Sequence, residues 1–527
     1  MTDVLDVLVV GAGPTGLTTA IELARRGVRI RVVDAADGPF PGSRGKGVQP
    51  RTLEVFDDLG IVDKALSAGR TDAVVRYYER DRLLGQVRVD TAGPARADVP
   101  YLDLLWIPQW RVDQILSERL VELGVTVEYG TALVDLHQHG DRVTADLTGP
   151  HGRTRIDARY LVGADGGHSR TRKLLGVGFD GEPLGEERMV LADVCVEGLD
   201  PSTGHVWLDQ TGLLALTPFT NTRSWQVQAS VHAGADGAVP EATLATVRRI
   251  ITERTAMPGI RVHDATWLSL FRTTMRMVDR YRVGRVFLAG DAAHVHSPAG
   301  AQGMNTGIQD GYNLGWKLAA VLARGPESLL DTYQRERLPV AKSMLALTAE
   351  QHRKFRAASH AADVVRMLTP QPGVGTDQLS ITYRGSALAV DLGDADRPLR
   401  AGDRAPDAPL HDANGSPTRL FDVFRGTHLT LLAFGRGHDD LLAFLSARYG
   451  AAVHVHRIID ASTDSVPGLV DAEGHAAGAY HAEPGALRLI RPDGYVGLAS
   501  DDPGPATRQA VEDYLAAVTA AGSPARR

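Results

Sequence analysis

The sequence predicts an α/β fold: a discontinuous Rossmann-like domain carrying an inserted antiparallel sheet, followed by a separate βα domain. Three observations predict it. Gly11-Ala12-Gly13-Pro14-Thr15-Gly16 follows an apolar run at 7–10, with Asp34 eighteen residues further on. The texture changes to short alternating runs between about 179 and 285, then returns to buried strands and long helices. Near residue 400 the Pro, Gly and Asp content rises, and Gly402-Asp403-Arg404-Ala405-Pro406 opens a new region.

The opening unit has a physical reading at each position. Gly11 permits a tight turn off the strand, Gly13 lets main chain approach a pyrophosphate, and Gly16 lets the helix pack closely on the sheet. Pro14 and Thr15 start that helix, so the phosphates meet the positive end of its dipole. The helix spans about 14–26, with Leu17, Ala20, Ile21 and Ala24 on one stripe and Gly27 at the C-terminal cap. A second strand, 29–33, delivers Asp34 to accept hydrogen bonds from ribose hydroxyls. An adenosine diphosphate moiety fits this unit, which does not by itself separate FAD from NAD.

The remaining elements follow in order. Residues 109–124 read as a helix, apolar at Ile115, Leu116 and Leu120, and 125–129, 134–136 and 143–147 as strands. Strand 160–163 runs into Ala164-Asp165-Gly166. Runs at 189–196, 206–208, 213–216 and 224–229 predict an antiparallel, substrate-binding sheet, interrupted by a helix at 241–254. Strand 285–289 ends in Gly290-Asp291, and the glycine-rich loop 298–303 opens a helix at 304–322, which makes the first domain discontinuous. Residues 331–357 read as further helix. Beyond 400, strands at 429–434, 453–459 and 486–490 alternate with helices at 439–449 and 507–521. The expected division is a nucleotide-binding domain at 1–75, 105–178 and 282–357, a sheet domain at 76–104 and 179–281, a linker at 358–399, and a last domain at 400–521.

A chain of 527 residues with a hydrophobic share of 43% has room for about three domains. Its formal charge of -7, with Arg scattered among Asp and Glu, predicts no nucleic-acid partner and no anionic membrane surface. Neither a signal peptide nor an apolar stretch of about 18 residues is legible, so a cytoplasmic protein is expected. The one cysteine, Cys195, excludes an internal disulfide, a CxxC pair and a Cys-rich metal site, and reads as a small buried hydrophobe.

Three separated motifs converge: the glycine turn at Gly11, Asp165-Gly166, and Gly290-Asp291 with Pro298-Ala299-Gly300-Ala301-Gln302-Gly303-Met304-Asn305. Ser43-Arg44-Gly45-Lys46-Gly47-Val48-Gln49-Pro50-Arg51-Thr52-Leu53-Glu54, Trp316-Lys317-Leu318 and Tyr333-Gln334-Arg335-Glu336-Arg337 extend the pattern. Together they resemble the single-component, group A FAD-dependent aromatic hydroxylases with the para-hydroxybenzoate hydroxylase fold. Within that family the chain is most similar to hydroxylases of phenols and polycyclic aromatic polyketides, which carry a C-terminal thioredoxin-like domain. Here that domain lacks CxxC, so it reads as structural or as the contact of a homodimer.

The resemblance implies roles residue by residue. Asp291 accepts from ribityl hydroxyls beside Gly290, and the loop Pro298, Gly300, Gly303, Met304 and Asn305 turns backbone N–H groups to the pyrimidine edge of the flavin. Pro298 lies near C4a; Arg44 and Gln109 contact the cofactor; Asp165 serves FAD and NADPH, with Arg170 and Arg172 as phosphate charges. The implied activity uses NADPH (or NADH) and O2 to hydroxylate a small-molecule aromatic through a C4a-hydroperoxyflavin, most of the difficult chemistry belonging to the cofactor. Arg44 and Pro298 are then catalytic in the sense of positioning the flavin, and no substrate-side base is named. Phe219, Trp225, Gln226, Phe271 and Tyr383 are expected to line the substrate pocket, while His294 and His296 read as packing residues rather than a metal site. Asp34 departs from the family's more frequent Glu. A Baeyer-Villiger oxygenase and a non-catalytic flavin-binding protein stay open as alternatives; a flavin-dependent halogenase is disfavoured because Leu104 stands where that family's motif has Trp.

Overall fold

A computed structural model describes residues 4–89, 94–181, 183–233, 238–296, 301–357, 375–393, 396–461 and 467–519. Its first sheet runs in the order Arg282–Val283, Val286–Leu288, Gly152–Gly163, Leu5–Val10, Ile30–Val33, Val127–Glu128, with Ala132–Gln138 and Val143–Gly149 attached to the Gly152 strand. The centre is parallel: Val7 lies opposite both Ile30 and Tyr160, and Leu161 opposite Val286. Strands covered on both faces read as continuous apolar runs, and Val7 to Val9 are fully buried here. Helices Pro14–Ala24, Gln109–Glu122 and Gly303–Leu322 supply much of that cover. Strands from three distant parts of the chain thus share one sheet.

The second sheet has seven strands in the order Arg261–Thr274, Pro183–Glu197, Ser224–Val231, Gly212–Pro218, Thr203–Asp209, Val74–Glu79, Arg82–Arg88. It is antiparallel except at one pair, where Val74–Glu79 runs parallel to Thr203–Asp209. This departs from the purely antiparallel expectation, because the Val74 strand comes from before the insertion and joins its edge. One face is closed by helix Leu244–Thr255, whose Val247, Ile250 and Ile251 pack on Val190, Ala192, Val194, Leu214, Leu216, Trp225 and Val227. The other face turns toward residues 40–46. Cys195 is half-buried rather than buried, paired across the sheet with His263, and its sulfur lies within 4.8 Å of ligand atoms of His263 and Asp264.

The C-terminal sheet has eight strands, ordered Val390–Leu392, Val496–Ser500, Leu487–Ile490, Leu429–Phe434, Val453–Ile459, Leu469–Val470, Pro409–His411, Pro417–Arg419. It docks on the first domain through buried charges. Arg404 pairs with Glu54, Arg491 spans Glu336 and Asp493, and Glu336 also accepts from Lys317 at 2.6 Å. Among the described residues no helix is long and apolar enough to cross a membrane.

Candidate active site

The glycine turn is wedged on one side and open on the other. Gly11 has φ +106°, and a Cβ there would lie 2.3 Å from the Ala164 carbonyl oxygen; one on Gly16 would lie 1.9 Å from that of Gly11. At Gly13 the same atom would meet nothing within 4 Å. The main chain at Gly13 is therefore the surface a diphosphate can approach. Helix Pro14–Ala24 has no side chain capping its first turn, which leaves its N–H groups for an anion. Asp34 accepts from Ala12 N at 2.7 Å and Ala36 N at 2.8 Å, so its carboxylate is fixed against the turn with lone pairs remaining for a ribose. Burial pushes the neighbouring Asp113 carboxyl up to about 8, the Gln109 hydrogen bond lowering it and Asp34 raising it further.

The second half of the cradle touches the first directly. A Cβ at Gly290, Gly307, Gly311 or Gly315 would fall 2.3–2.6 Å from side-chain atoms of Thr15, Thr15, Thr19 and Glu22 respectively. Helix Gly303–Leu322 therefore lies backbone to backbone against Pro14–Ala24, a seam that the motif reading missed. Its signal was present as glycines spaced four apart. Asn305 latches the helix start to the loop after Arg44: Oδ1 accepts from Gln49 N at 2.8 Å, and Nδ2 donates to Gly47 O at 2.9 Å and Ala301 O at 2.7 Å. Met304 sits 3.9 Å from the position a Gly45 Cβ would take, and His296 3.3 Å from that at Gly303. Pro298 and Gly300 lie outside the described residues.

Asp291 reaches solvent, yet protein atoms crowd it enough that burial raises its carboxyl, with His294 and Arg44 pulling it back. Behind it a buried brace holds the Gly290 turn. Asp310 accepts from Gly290 N at 3.1 Å and Arg337 Nε at 2.7 Å, with His294 Nε2 at 2.8 Å. Burial opposes ionisation of Asp310, but Arg337 and His294 hold its carboxyl below the usual range. His296 stacks on His294, and burial, reinforced by His294, pushes it down to about 3, so it is neutral. Arg337 also donates to the Tyr383 hydroxyl at 3.0 Å, and the Tyr383 ring lies 4.2 Å from that of Tyr495.

Several expected contacts are redirected. Asp165 accepts from the Ser169 hydroxyl at 2.5 Å and from Thr171 N and Oγ1 at 2.9 and 3.0 Å, bracing the first turn of the short helix Arg170–Leu174 that Ser169 caps. Arg172, read as a phosphate charge, is buried: it donates to Ala292 O and Gly167 O and lies over Phe179. Arg170 donates to Val134 O. Arg44 is exposed above the Phe40 ring, and Gln109 clamps Gly45 through its own amide and its side-chain oxygen.

The open face of the sheet carries a cross-strand row. Trp267, Asp193, Gln226 and Thr217 are successive partners on four neighbouring strands, so they share one face. Residues 40–46 lie along it. Trp267 meets Phe40 edge-on at 5.4 Å and closes on Gly42; Gln226 donates to Ser43 O; Lys46 Nζ donates to Thr217 Oγ1 at 2.9 Å and Gln228 Oε1 at 3.0 Å. Gln226 is thus on this face, and Phe271 shares it four residues beyond Trp267. Trp225 points the other way, into the helix-covered core, because neighbouring strand residues alternate faces. Tyr383 sits in the Arg337 brace between the helix Asp331–Ala357 and the C-terminal sheet. Both are corrected out of the pocket lining, while Phe219 is buried at the end of its strand. Burial pushes Asp193 up to about 6, Ser43 and Lys46 pulling it back. Burial pushes Lys46 down to about 7, against the pull of Asp193.

Comparison with known proteins places these features. A family model for the FAD binding domain matches residues 4–348, and one for the aromatic-ring hydroxylase C-terminal domain matches 399–521. The chain is 43% identical over 98% of its length to all of a flavin-dependent monooxygenase of Mycobacteroides abscessus. It is 36% identical to the 6-methylpretetramide 4-monooxygenase of Streptomyces rimosus, covering 95% of this chain and 92% of that one. Aklavinone-11 hydroxylase, solved with FAD and aklavinone, superposes with a TM-score of 0.82 at 30% identity, over 98% of this chain and 99% of that one. The chain belongs to the FAD-dependent aromatic-ring hydroxylases.

Proposed function

We propose that this flavin-dependent monooxygenase hydroxylates a phenolic or polycyclic, polyketide-like aromatic, using NADPH and O2. One observation carries the substrate class: the loop that follows Arg44 is latched to the flavin-side helix by Asn305 and, on its other side, laid along a sheet face bearing Trp267, Gln226, Gln228 and Phe271. The sheet face beside that loop carries aromatic and amide groups, the chemistry that grips a flat phenol. The polycyclic substrates in the relatives' names support the same reading.

Bound FAD supplies electron transfer from the nicotinamide and activation of oxygen. The chain's residues do the rest. Gly13 and the first turn at Pro14 receive the diphosphate, Asp34 the ribose, and Asp291 the ribityl chain, while the 301–305 turn faces the pyrimidine edge with helix N–H groups. Arg44 and Pro298 position the ring system. Residues 40–46, closed against the sheet by Trp267, keep water from the reacting carbon. The division into a discontinuous FAD domain, a sheet domain and a thioredoxin-like C-terminal domain without a dithiol belongs to the same reading, as do homodimeric assembly and a cytoplasmic location.

The test is a panel of phenols and polycyclic quinones assayed for stimulated NADPH consumption, with mass analysis of products. A ring hydroxylation that adds one oxygen atom is expected. Tight FAD retention with no compound stimulating oxidation would overturn the reading in favour of a binding protein, and a lactone or ester product would replace hydroxylation by Baeyer-Villiger chemistry.

A further inference from the structure

The seam between residues 40–46 and the sheet holds buried polar groups that the protein matches incompletely. Gln226 Oε1 is buried with no hydrogen-bond partner among the described residues, and the fully buried Asp193 carboxylate has the neutral Ser43 as its hydrogen-bonding neighbour. Native interiors leave few such groups, and those they leave tend to have a use. Lys46 stands among them. Its ammonium has three N–H donors and two protein acceptors, Thr217 and Gln228; among the described residues no carboxylate comes within ion-pair distance. The Trp106 ring lies 5.5 Å from Nζ, a flat wall beside the remaining donor.

Position makes Lys46 reachable where Asp193 is not. Asp193 is fully buried in the middle of its strand, whereas Lys46 keeps part of its surface open. Lys46 is two residues beyond Arg44, and its backbone is pinned through Ile107 N to Lys46 O and through the Gly47 and Trp106 pairing. Its side chain therefore reaches from the cofactor loop onto the sheet face at a fixed place. Among the described residues, the charge of Asp193 is felt at Lys46 and that of Lys46 at Asp193.

We propose that Lys46 is the substrate-side acid–base group of the hydroxylation. Its neutral ε-amine takes the proton of a phenolic hydroxyl brought to the sheet face beside the flavin loop, and the ammonium so formed holds the phenolate, with Asp193 as counter-charge. The O–H bond breaks, an N–H bond forms, and no electron pair leaves the two partners. The ring gains the electron density that an electrophilic oxygen requires. The desolvated position brings the amine into the range where this exchange is cheap near neutral pH, burial being the cause. The inference rests on the aromatic-substrate reading given under Proposed function.

The test uses the FAD-loaded protein without NADPH and 2-hydroxyanthraquinone as a coloured phenol. Binding is followed by the change in flavin absorption, and ionisation of the bound phenol by its own band against pH. On the wild type, the bound phenol should ionise at least one pH unit below the free compound. Lys46→Met should retain FAD and bind the probe but lose that shift, while Lys46→Arg, a cation that cannot take the proton, should restore the shift in the bound probe but not turnover at pH 7. In turnover, K46M should lose about 100-fold at pH 7 and recover as pH rises toward the ordinary phenol range near 10. A K46M protein that ionises the probe as the wild type does, or whose deficit is the same at every pH, overturns the proposal while leaving the aromatic reading intact. A wild-type protein that binds neither the probe nor any stimulating phenol of the panel overturns both.

Discussion

The FAD-binding domain has two polar seams, and they are built on opposite terms. Toward the C-terminal sheet, the buried carboxylates are amply answered: Glu336 accepts from Lys317, Asn313, Ser386 and twice from Arg491, and Asp493 takes Arg491, Trp316 and Asn313. Toward the inserted sheet, Lys46 has only hydroxyl and amide acceptors among the described residues, the buried Asp193 has no ion pair there, and Gln226 Oε1 is buried without a partner. A buried charge left short of partners costs free energy. The completed seam is what keeps two domains together; the incomplete one is where a ligand has something to add.

Breaking the completed seam should have the largest effect. Glu336→Ala strands Lys317 and Arg491 and should cost about 3–5 kcal/mol in a urea unfolding measurement. Burial opposes the Glu336 charge, but Arg491 and Lys317 hold its carboxyl well below the usual range. Its stabilisation is therefore complete above the unfolded value of about 4.3 and is lost as pH falls below that, so acid unfolding should move in E336A. A loss under about 1 kcal/mol would erase the contrast between the seams.

Gly311→Ala tests the helix contact that carries both halves of the cofactor cradle. Its Cβ would lie 2.6 Å from Thr19 Oγ1 and 2.7 Å from the Thr15 carbonyl oxygen, the second being backbone that cannot rotate away. Overpacking of about 1–3 kcal/mol is expected, with weakened FAD retention measured by cofactor release on dilution. Lys46→Met should change stability by less than about 1 kcal/mol in either direction, because the ammonium it removes was only partly compensated. A loss as large as that of E336A would make Lys46 a structural ion and close the comparison.

The smallest effect concerns Asp113. Burial raises its carboxyl to about 8, so below that pH it is neutral beside Asp34. As pH rises through about 8 it ionises beside Asp34, the ribose acceptor, and FAD affinity should fall by about threefold. The same titration on Asp113→Asn should be flat.

The sequence made much of this legible because backbone-driven features leave local marks. Gly11, Gly13, Gly16 and Asp34 declare a turn, and the runs at 429–434 and 453–459 coincide with strands Leu429–Phe434 and Val453–Ile459. What escaped depends on pairing between distant segments. Trp225 and Gln226 are adjacent, and only strand register decides that the first enters the core and the second faces the cofactor loop. Arg172 resembled a phosphate ligand because nothing near it in sequence reveals that Ala292 O and Gly167 O are its acceptors. Asp193, flanked by Ala192 and Val194, reads as an ordinary outward residue of a half-buried strand, and Lys46 as part of a motif already assigned to the flavin.

The glycines that face Thr15, Thr19 and Glu22 leave side chains from one helix only, in direct contact with bare backbone of the other. The distance from the phosphate turn to the ring-facing turn is consequently a caliper with nothing compressible in its jaws.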